Sequence, residues 1–189
     1  MPKIKFKYGT MNSSKSANLL MVRHNYIEQN KKVLVFKPIQ DTRDKAVVKS
    51  RALMEEVPAI EIKPEDVNVM FEMVKKENPA CVLVDEVQFL SENHVEELGD
   101  IVDYLHVPVI AYGLVTDFKG KLFEGSKKLI ELGAVMDEIT TVCFECKSKA
   151  THNLRLLDGK PVTEGEVIQV GGNESYKPVC RKHYKELTK

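Results

Sequence analysis

The chain has 189 residues, of which 43% are hydrophobic, and its 28 basic and 28 acidic side chains give a formal net charge of zero. This balance argues against binding to nucleic acid or to an acidic membrane, and no apolar run is long enough to span a bilayer. Because the N-terminus is charged and lacks a secretory signal, we expect a cytoplasmic protein with reduced thiols.

The first predicted strand covers residues 4–8, where apolar and basic side chains alternate. Residues 9–16 follow and match the phosphate-binding pattern G-x-x-x-x-G-K-[ST] except at Ser14, which replaces the second glycine. A helix is predicted over residues 17–29. A strand, a tight loop and a helix N-terminus favour a polyphosphate ligand. A serine-rich turn with a chance Lys-Ser pair is the alternative.

Strands and helices then alternate along the chain. Strands are predicted at residues 32–36, 59–62, 80–84 and 107–112, and helices at 64–77, 93–105 and 126–132. A polar loop covers residues 40–45. This alternation predicts an α/β fold, with a mostly parallel sheet and helices on both faces. Ligands of such sheets bind at the carboxyl ends of the strands.

Asp85 and Glu86 follow the most apolar of these strands. In phosphate-loop enzymes an acid at this place organises Mg²⁺, so we expect the end of this strand to lie beside the end of the first strand. If the strand continues, the two carboxylates point to opposite faces, one towards the metal and one towards a substrate. An acidic strand end that faces solvent is the alternative.

The helical periodicity stops near residue 140, so we predict two domains, 1–139 and 140–189. The second contains two ligand pairs at the spacing of a single structural zinc site, formed by Cys143, Cys146, Cys180 and His183. All four ligands come from the protein, which argues against a catalytic metal. Chance thiols are the alternative.

Together these motifs resemble the type II thymidine kinases, the zinc-containing tetrameric class, over nearly the whole chain. The matching segments are residues 9–16, 41–43, 85–89, 112–118, 122–126 and 171–176, together with the two metal-ligand pairs. Several of them are generic alone, but their order and spacing are specific. The Thr-Met-Asn-Ser form of the loop is similar to the branch of enteric bacteria, lactic-acid bacteria and some phages.

The resemblance implies a RecA-like P-loop NTPase domain and a small zinc-ribbon-like domain with a lasso loop. The implied reaction transfers the γ-phosphoryl group of ATP, bound with Mg²⁺, to the 5′-hydroxyl of thymidine, with deoxyuridine as a second candidate substrate. It also implies a homotetramer and feedback inhibition by thymidine triphosphate (dTTP).

The resemblance further assigns roles to individual residues, with Glu86 as the general base. The residues implied for ATP and Mg²⁺ are Gly9, Thr10, Met11, Asn12, Ser13, Ser14, Lys15, Ser16, Asp41, Arg43, Asp85 and Gln88. Those implied for the nucleoside are Met11, Phe89, Leu114, Phe118, Phe123, Ile168, Gln169, Val170, Gly171, Gly172 and Tyr176. Considered singly, the apolar members are more typical of a core than of a pocket.

Ser14 departs from the glycine of this family. We expect backbone strain there if its φ angle is positive, and weaker use of ATP than in a glycine version. Two other functions remain open. Another P-loop NTPase with a zinc interaction module would turn over ATP without a nucleoside, whereas a zinc-ribbon nucleic-acid binder fits poorly with the neutral charge.

Overall fold

The computed structural model describes residues 2–39, 46–50, 53–165 and 174–189. The elements of the first part are β1 (Ile4–Tyr8), α1 (Lys15–Glu28), β2 (Val33–Pro38), β3 (Val47–Ser50), β4 (Glu55–Pro58), β5 (Ile60–Ile62), α2 (Val69–Glu77), β6 (Cys81–Val84), α3 (Glu92–Tyr104), β7 (Val109–Gly113), α4 (Glu124–Glu131) and β8 (Val135–Glu138). The elements of the second part are β9 (His152–Leu157), β10 (Lys160–Pro161), β11 (Glu174–Val179) and α5 (Arg181–Leu187).

Six strands form one sheet in the order β5-β2-β6-β7-β1-β8, and all of its strand pairs are parallel. Successive side chains of β6 enter two different cores. Val82 and Val84 pack with α2, α3 and α4, whereas Cys81 and Leu83 pack with α1. A strand buried on both faces reads as a continuous apolar run. The predicted α/β fold with helices on both faces is therefore confirmed.

The strand order corrects one expectation. The ends of β1 and β6 are not adjacent, because β7 lies between these strands and pairs with both. Local sequence patterns contain no information on which strands become neighbours, so this error could not be found from the chain alone.

Other differences have local causes. Helix α2 begins at Val69 rather than at Pro64, because Asn68 has a left-handed backbone with φ of 56°, which a right-handed helix cannot include. The antiparallel pair β3–β4 was not predicted, since its second strand is mostly exposed and charged. Strand β8 was also missed, because all four of its side chains are exposed and only its backbone pairing with β1 defines it.

The C-terminal part contains a three-stranded antiparallel sheet in the order β10-β9-β11, followed by α5. Its own buried core consists of Cys143, Leu154, Leu156 and Val179. A core of this size is too small to stabilise a separate fold, so a metal ion bound in this part would add stability. The domain boundary after residue 139 stays a prediction. None of the helices in the described ranges has the length and apolar character needed to cross a membrane.

Two helix glycines give a matched test of the packing. A Cβ atom on Gly125 would collide with the Val87 and Leu90 carbonyl oxygens, whereas one on Gly99 would make only an ordinary contact with Leu132. We expect Gly125→Ala to destabilise the fold by about 1–3 kcal/mol. Gly99→Ala should instead stabilise it by about 0.5–1 kcal/mol, since alanine favours the helix. Urea unfolding midpoints measure both effects, and equal shifts in the two variants would contradict this packing.

Candidate functional site

The loop of residues 9–16 joins β1 to the first turn of α1. Gly9 is required there, because a Cβ atom would collide with the Ile139 carbonyl oxygen. Ser14 is the N-cap of α1, has φ of 63°, and makes no side-chain capping hydrogen bond. Because the φ angle of Ser14 is positive, the backbone strain expected from the sequence applies at this residue. The first-turn N–H groups of a helix left without a side-chain cap are suited to an anion.

Lys15 is buried inside this loop. Its ammonium group donates to the carbonyl oxygens of Thr10 at 2.8 Å and Gly9 at 3.3 Å, and lies 3.4 Å from Ser13 Oγ. Burial lowers the pKa of Lys15, while the nearby charges of Glu86 and Asp85 oppose that shift. The cation is therefore held by backbone oxygens at the place where the sequence motif predicts phosphate.

Asp85 follows β6 and reaches the same loop although β7 separates the two strands. The Ser16 hydroxyl donates to Asp85 Oδ2 at 3.3 Å. The contact forms because α1 packs against β7, where Tyr112 donates to the Asn18 side chain at 3.2 Å. Burial, and then the charge of Glu86, raises the pKa of Asp85, whereas Lys37 and Ser16 act against this rise. A bound cation would favour the ionised carboxylate.

Glu86 is oriented by a turn and not by strand alternation. Strand β6 ends at Val84, Glu86 has φ of 52°, and a 3₁₀ turn over Val87–Phe89 follows. The predicted arrangement, in which a continuing strand sends the two acids to opposite faces, does not apply. The Gln88 amide donates to Glu86 Oε2 at 2.6 Å and accepts from the Leu114 N–H at 3.1 Å. Gln88, predicted as an ATP or Mg²⁺ contact, is only 2% exposed and supports Glu86.

An apolar cavity of about 260 Å³ lies beside this turn and is lined by residues that include Phe89, Phe123 and Gln88. The two phenyl rings meet edge to face, with centroids 5.5 Å apart. Met11, Leu114 and Phe118 do not line this cavity. Only part of the predicted nucleoside pocket is therefore brought together in one described cavity.

Phe118 instead packs against the C-terminal part. The guanidinium group of Arg155 lies 4.8 Å from its ring centroid, and the Tyr184 hydroxyl donates to its carbonyl oxygen at 2.5 Å. Tyr176 pairs with Arg155 across β11 and β9. The remaining predicted site residues lie outside the described ranges, and these are Asp41, Arg43, Ile168, Gln169, Val170, Gly171 and Gly172.

The predicted metal ligands do come together. The donor atoms of Cys143, Cys146, Cys180 and His183 lie within 4.8 Å of one another. The Cys146 and Cys180 sulfurs are 4.0 Å apart, close to the separation of about 3.8 Å expected for two thiolates on one tetrahedral zinc. His183 directs Nδ1 at the Cys180 sulfur, 3.3 Å away. The cluster can therefore hold a metal ion, and the donor set fits zinc.

The Cys143 thiol is prepared for metal binding. Burial alone would raise its pKa, but hydrogen bonds from the backbone of Cys180 and Glu145, and from the His183 side chain, lower the pKa to about 6. Because the thiolate is the form that binds metal, these hydrogen bonds favour the form of Cys143 that can act as a ligand.

One contact between the two parts of the chain was not indicated by any sequence motif. The Met11 N–H donates to the Asn153 side-chain oxygen at 2.8 Å, across 142 positions of sequence. Asn153 is 4% exposed and lies on β9. The sequence of β9, which also contains His152 and Arg155, does not single out Asn153, and nothing in the sequence names its partner.

Comparisons with known proteins identify the family of this chain. The family profile described as thymidine kinase matches residues 2–184. The chain belongs to the thymidine kinase family. It is 49% identical to a thymidine kinase of Lactiplantibacillus plantarum, covering 97% of this chain and 96% of that protein. It is 50% identical to those of Lactococcus lactis and Streptococcus pyogenes, with 97% of each chain covered.

Similarity to solved structures is weaker. A DNA replication initiation factor aligns with 73% of this chain and 40% of its own, at 16% identity and a TM-score of 0.42. A similarity at this level supports no conclusion about function.

The metal centre can be tested by removing one ligand. We expect Cys180→Ser to lose the bound metal and to expose β9–β11 to proteolysis, since the small core depends on the metal. Cys81→Ala is the matched control, because this buried cysteine belongs to the α1 core and should leave the metal content unchanged. Metal analysis and limited proteolysis of the purified proteins measure both effects. Full metal content in Cys180→Ser would contradict the assigned ligand set.

Proposed function

We propose that this member of the thymidine kinase family transfers the γ-phosphoryl group of ATP to the 5′-hydroxyl of thymidine. The observation that carries the proposal is the 3.3 Å contact between Ser16 of the phosphate loop and Asp85, with Glu86 as the next residue. It brings the groups suited to phosphate, metal and nucleophile to one edge of the sheet. Phosphoryl transfer depends mainly on such positioning and charge stabilisation.

The phosphate side of the site fits Mg·ATP. Among the described residues, Thr10 Oγ1 is one of two buried side-chain polar atoms without a protein hydrogen bond, which supports a ligand at the loop. Lys15 would bind phosphate oxygens in place of the backbone carbonyls it now contacts, and Ser16 with Asp85 would hold Mg²⁺. When bound, Mg²⁺ would supply positive charge that neutralises the phosphate groups.

The nucleoside side depends on Glu86. Its carboxylate is held by Gln88 at 2.6 Å, which suits a general base that must accept the proton of the 5′-hydroxyl. Phe89 and Phe123 form an aromatic wall beside it, and such a wall can pack on a thymine ring. By the family resemblance, Met11, Leu114, Phe118 and Tyr176 would complete the proposed pocket, although they lie outside the cavity beside the turn.

Further parts of the proposal follow from the family resemblance. The loop residues 166–173 would bind the base edge, Arg43 would contact the transferring phosphate, and zinc would occupy the four-ligand cluster. A homotetramer, inhibition by dTTP, a cytoplasmic location, and the absence of nucleic-acid and membrane partners stay predictions.

ADP release by the purified protein tests the reaction directly. Every reaction contains Mg·ATP. The assay compares reactions that contain thymidine, reactions that contain one of the other deoxynucleosides, and reactions without a nucleoside. We expect turnover to depend on thymidine. Equal turnover without nucleoside would favour an ATP hydrolase, and salt-sensitive oligonucleotide binding without turnover would favour the nucleic-acid binder.

The role of Glu86 predicts a specific kinetic defect. Glu86→Gln should lower kcat about 10²–10⁴-fold, because the amide cannot accept the hydroxyl proton. The KM for ATP should change little. Glu131→Gln is the control, since this exposed carboxylate forms an ion pair with Lys127 in the same helix, away from the proposed site. A Glu86→Gln protein with normal kcat would remove Glu86 from the reaction.

The strain at Ser14 predicts that a glycine improves the loop. Ser14→Gly should stabilise the protein by up to about 1 kcal/mol. The substitution removes the cost of a left-handed backbone at serine, and the larger conformational entropy that glycine loses on folding offsets part of this gain. It should also lower the KM for ATP or raise kcat, since the serine Cβ would crowd a phosphate oxygen.

Asn12→Gly is the matched control for this change. Asn12 has φ of 61° in the same loop, but asparagine tolerates this conformation. We therefore expect a smaller gain in thermal stability from Asn12→Gly. If the melting temperature, KM and kcat of Ser14→Gly are unchanged, the serine reduces neither the stability of the protein nor its use of ATP.

A further inference from the structure

The hydrogen bond between Met11 and Asn153 fixes one peptide unit of the phosphate loop from outside. The Met11 N–H and the Thr10 carbonyl belong to the same planar peptide group. The N–H donates to Asn153 Oδ1 at 2.8 Å, and the carbonyl accepts from the Lys15 ammonium at 2.8 Å. Rotation of this peptide plane would break both bonds. The orientation of the Thr10–Met11 peptide, and with it the position of Lys15, therefore depends on Asn153.

Asn153 is in turn fixed by the metal-binding part of the chain. It lies opposite Pro178 in the pairing of β9 with β11, and Pro178 is two residues before the ligand Cys180. The Thr151 N–H also donates to the Val179 carbonyl at 2.9 Å. A short path of paired residues thus leads from the four-ligand cluster through β11 and β9 to the phosphate loop.

We propose that Asn153 is a positioning residue that couples the metal centre to the phosphate loop. Through this coupling, a nucleotide on the loop and a metal in the cluster stabilise each other. The proposal rests on the proposed function, which makes Mg·ATP the ligand of the loop.

Coupling of this kind is reciprocal, so it is visible from either ligand. If Asn153 orders the loop for nucleotide, then bound nucleotide must hold Asn153, and hence β9 and β11, more firmly around the metal. A single neutral hydrogen bond corresponds to about a fivefold change in an equilibrium constant. Both the KM for ATP and the rate of metal release should respond on that scale.

The test uses the full-length, zinc-loaded protein with two substitutions of similar shape. Asn153→Leu removes the acceptor, and Asn153→Asp keeps it. The KM and kcat for ATP are measured with thymidine, and the half-time of zinc release to a chromogenic chelator is measured with and without Mg·ATP. In the unaltered protein we expect Mg·ATP to slow zinc release. In Asn153→Leu the KM for ATP should rise about fivefold and the slowing should disappear, whereas Asn153→Asp should retain it.

Tyr184→Phe is the matched control, because it removes another hydrogen bond between the two parts, from Tyr184 to the Phe118 carbonyl, without affecting the phosphate loop. Slowing of zinc release by Mg·ATP should persist in this variant. A purely structural role of Asn153 would accelerate zinc release equally with and without Mg·ATP, which would overturn the proposal. If Asn153→Leu does not fold, Asn153→Ala takes its place.

The outcomes separate this proposal from the proposed reaction. If thymidine is phosphorylated, but Asn153→Leu has an unchanged KM for ATP and Mg·ATP still slows its zinc release, the coupling is wrong and the reaction stands. If Mg·ATP slows zinc release in an Asn153-dependent way but no nucleoside is phosphorylated, the proposed reaction is wrong and the coupling stands. If Mg·ATP neither reacts nor slows zinc release in the unaltered protein, both are wrong.

Discussion

The parallel pairing of β7 with both β1 and β6 determines where every proposed catalytic group lies. Parallel strands bring their carboxyl ends to one edge of the sheet. The phosphate loop follows β1, the acids Asp85 and Glu86 follow β6, and Leu114 follows β7. The intervening β7 does not separate the groups, because α1 packs against β7 and its residue Ser16 reaches Asp85. The reactive edge is thus a consequence of strand order as much as of the residues themselves.

Features of the site that depend on short sequence separations could be predicted, whereas those that depend on long-range pairing could not. The phosphate loop, the acidic end of β6 and the four metal ligands each have a characteristic local spacing. The order of the strands, the exposed β8 and the contact of Asn153 with Met11 depend on residues far apart in the chain. The early start predicted for α2 failed for a third reason, the left-handed backbone of Asn68, which its charged neighbours did not reveal.

The C-terminal part contacts two segments that belong to the proposed site. It binds the phosphate loop at Met11, and it binds the segment after β7 at Phe118. Both residues belong to the proposed substrate pocket, although neither is close to the metal ligands in sequence. A metal that orders this small part can therefore influence both substrates without touching either one. Residues 166–173, for which the resemblance predicts a lasso loop, precede β11 in the chain and lie outside the described ranges.

The amide of Gln88 has one donor end and one acceptor end, and the backbone decides which end is which. The Leu114 N–H can only donate, so it must face Gln88 Oε1. The amide therefore presents N–H to Glu86, and Oε2 of that carboxylate is occupied as an acceptor. In the proposed reaction this hydrogen bond would favour Oε1, the other oxygen, as the acceptor of the proton that leaves the nucleoside hydroxyl. The chain just after β7, which supplies no reacting group, would thereby bias which oxygen receives the proton.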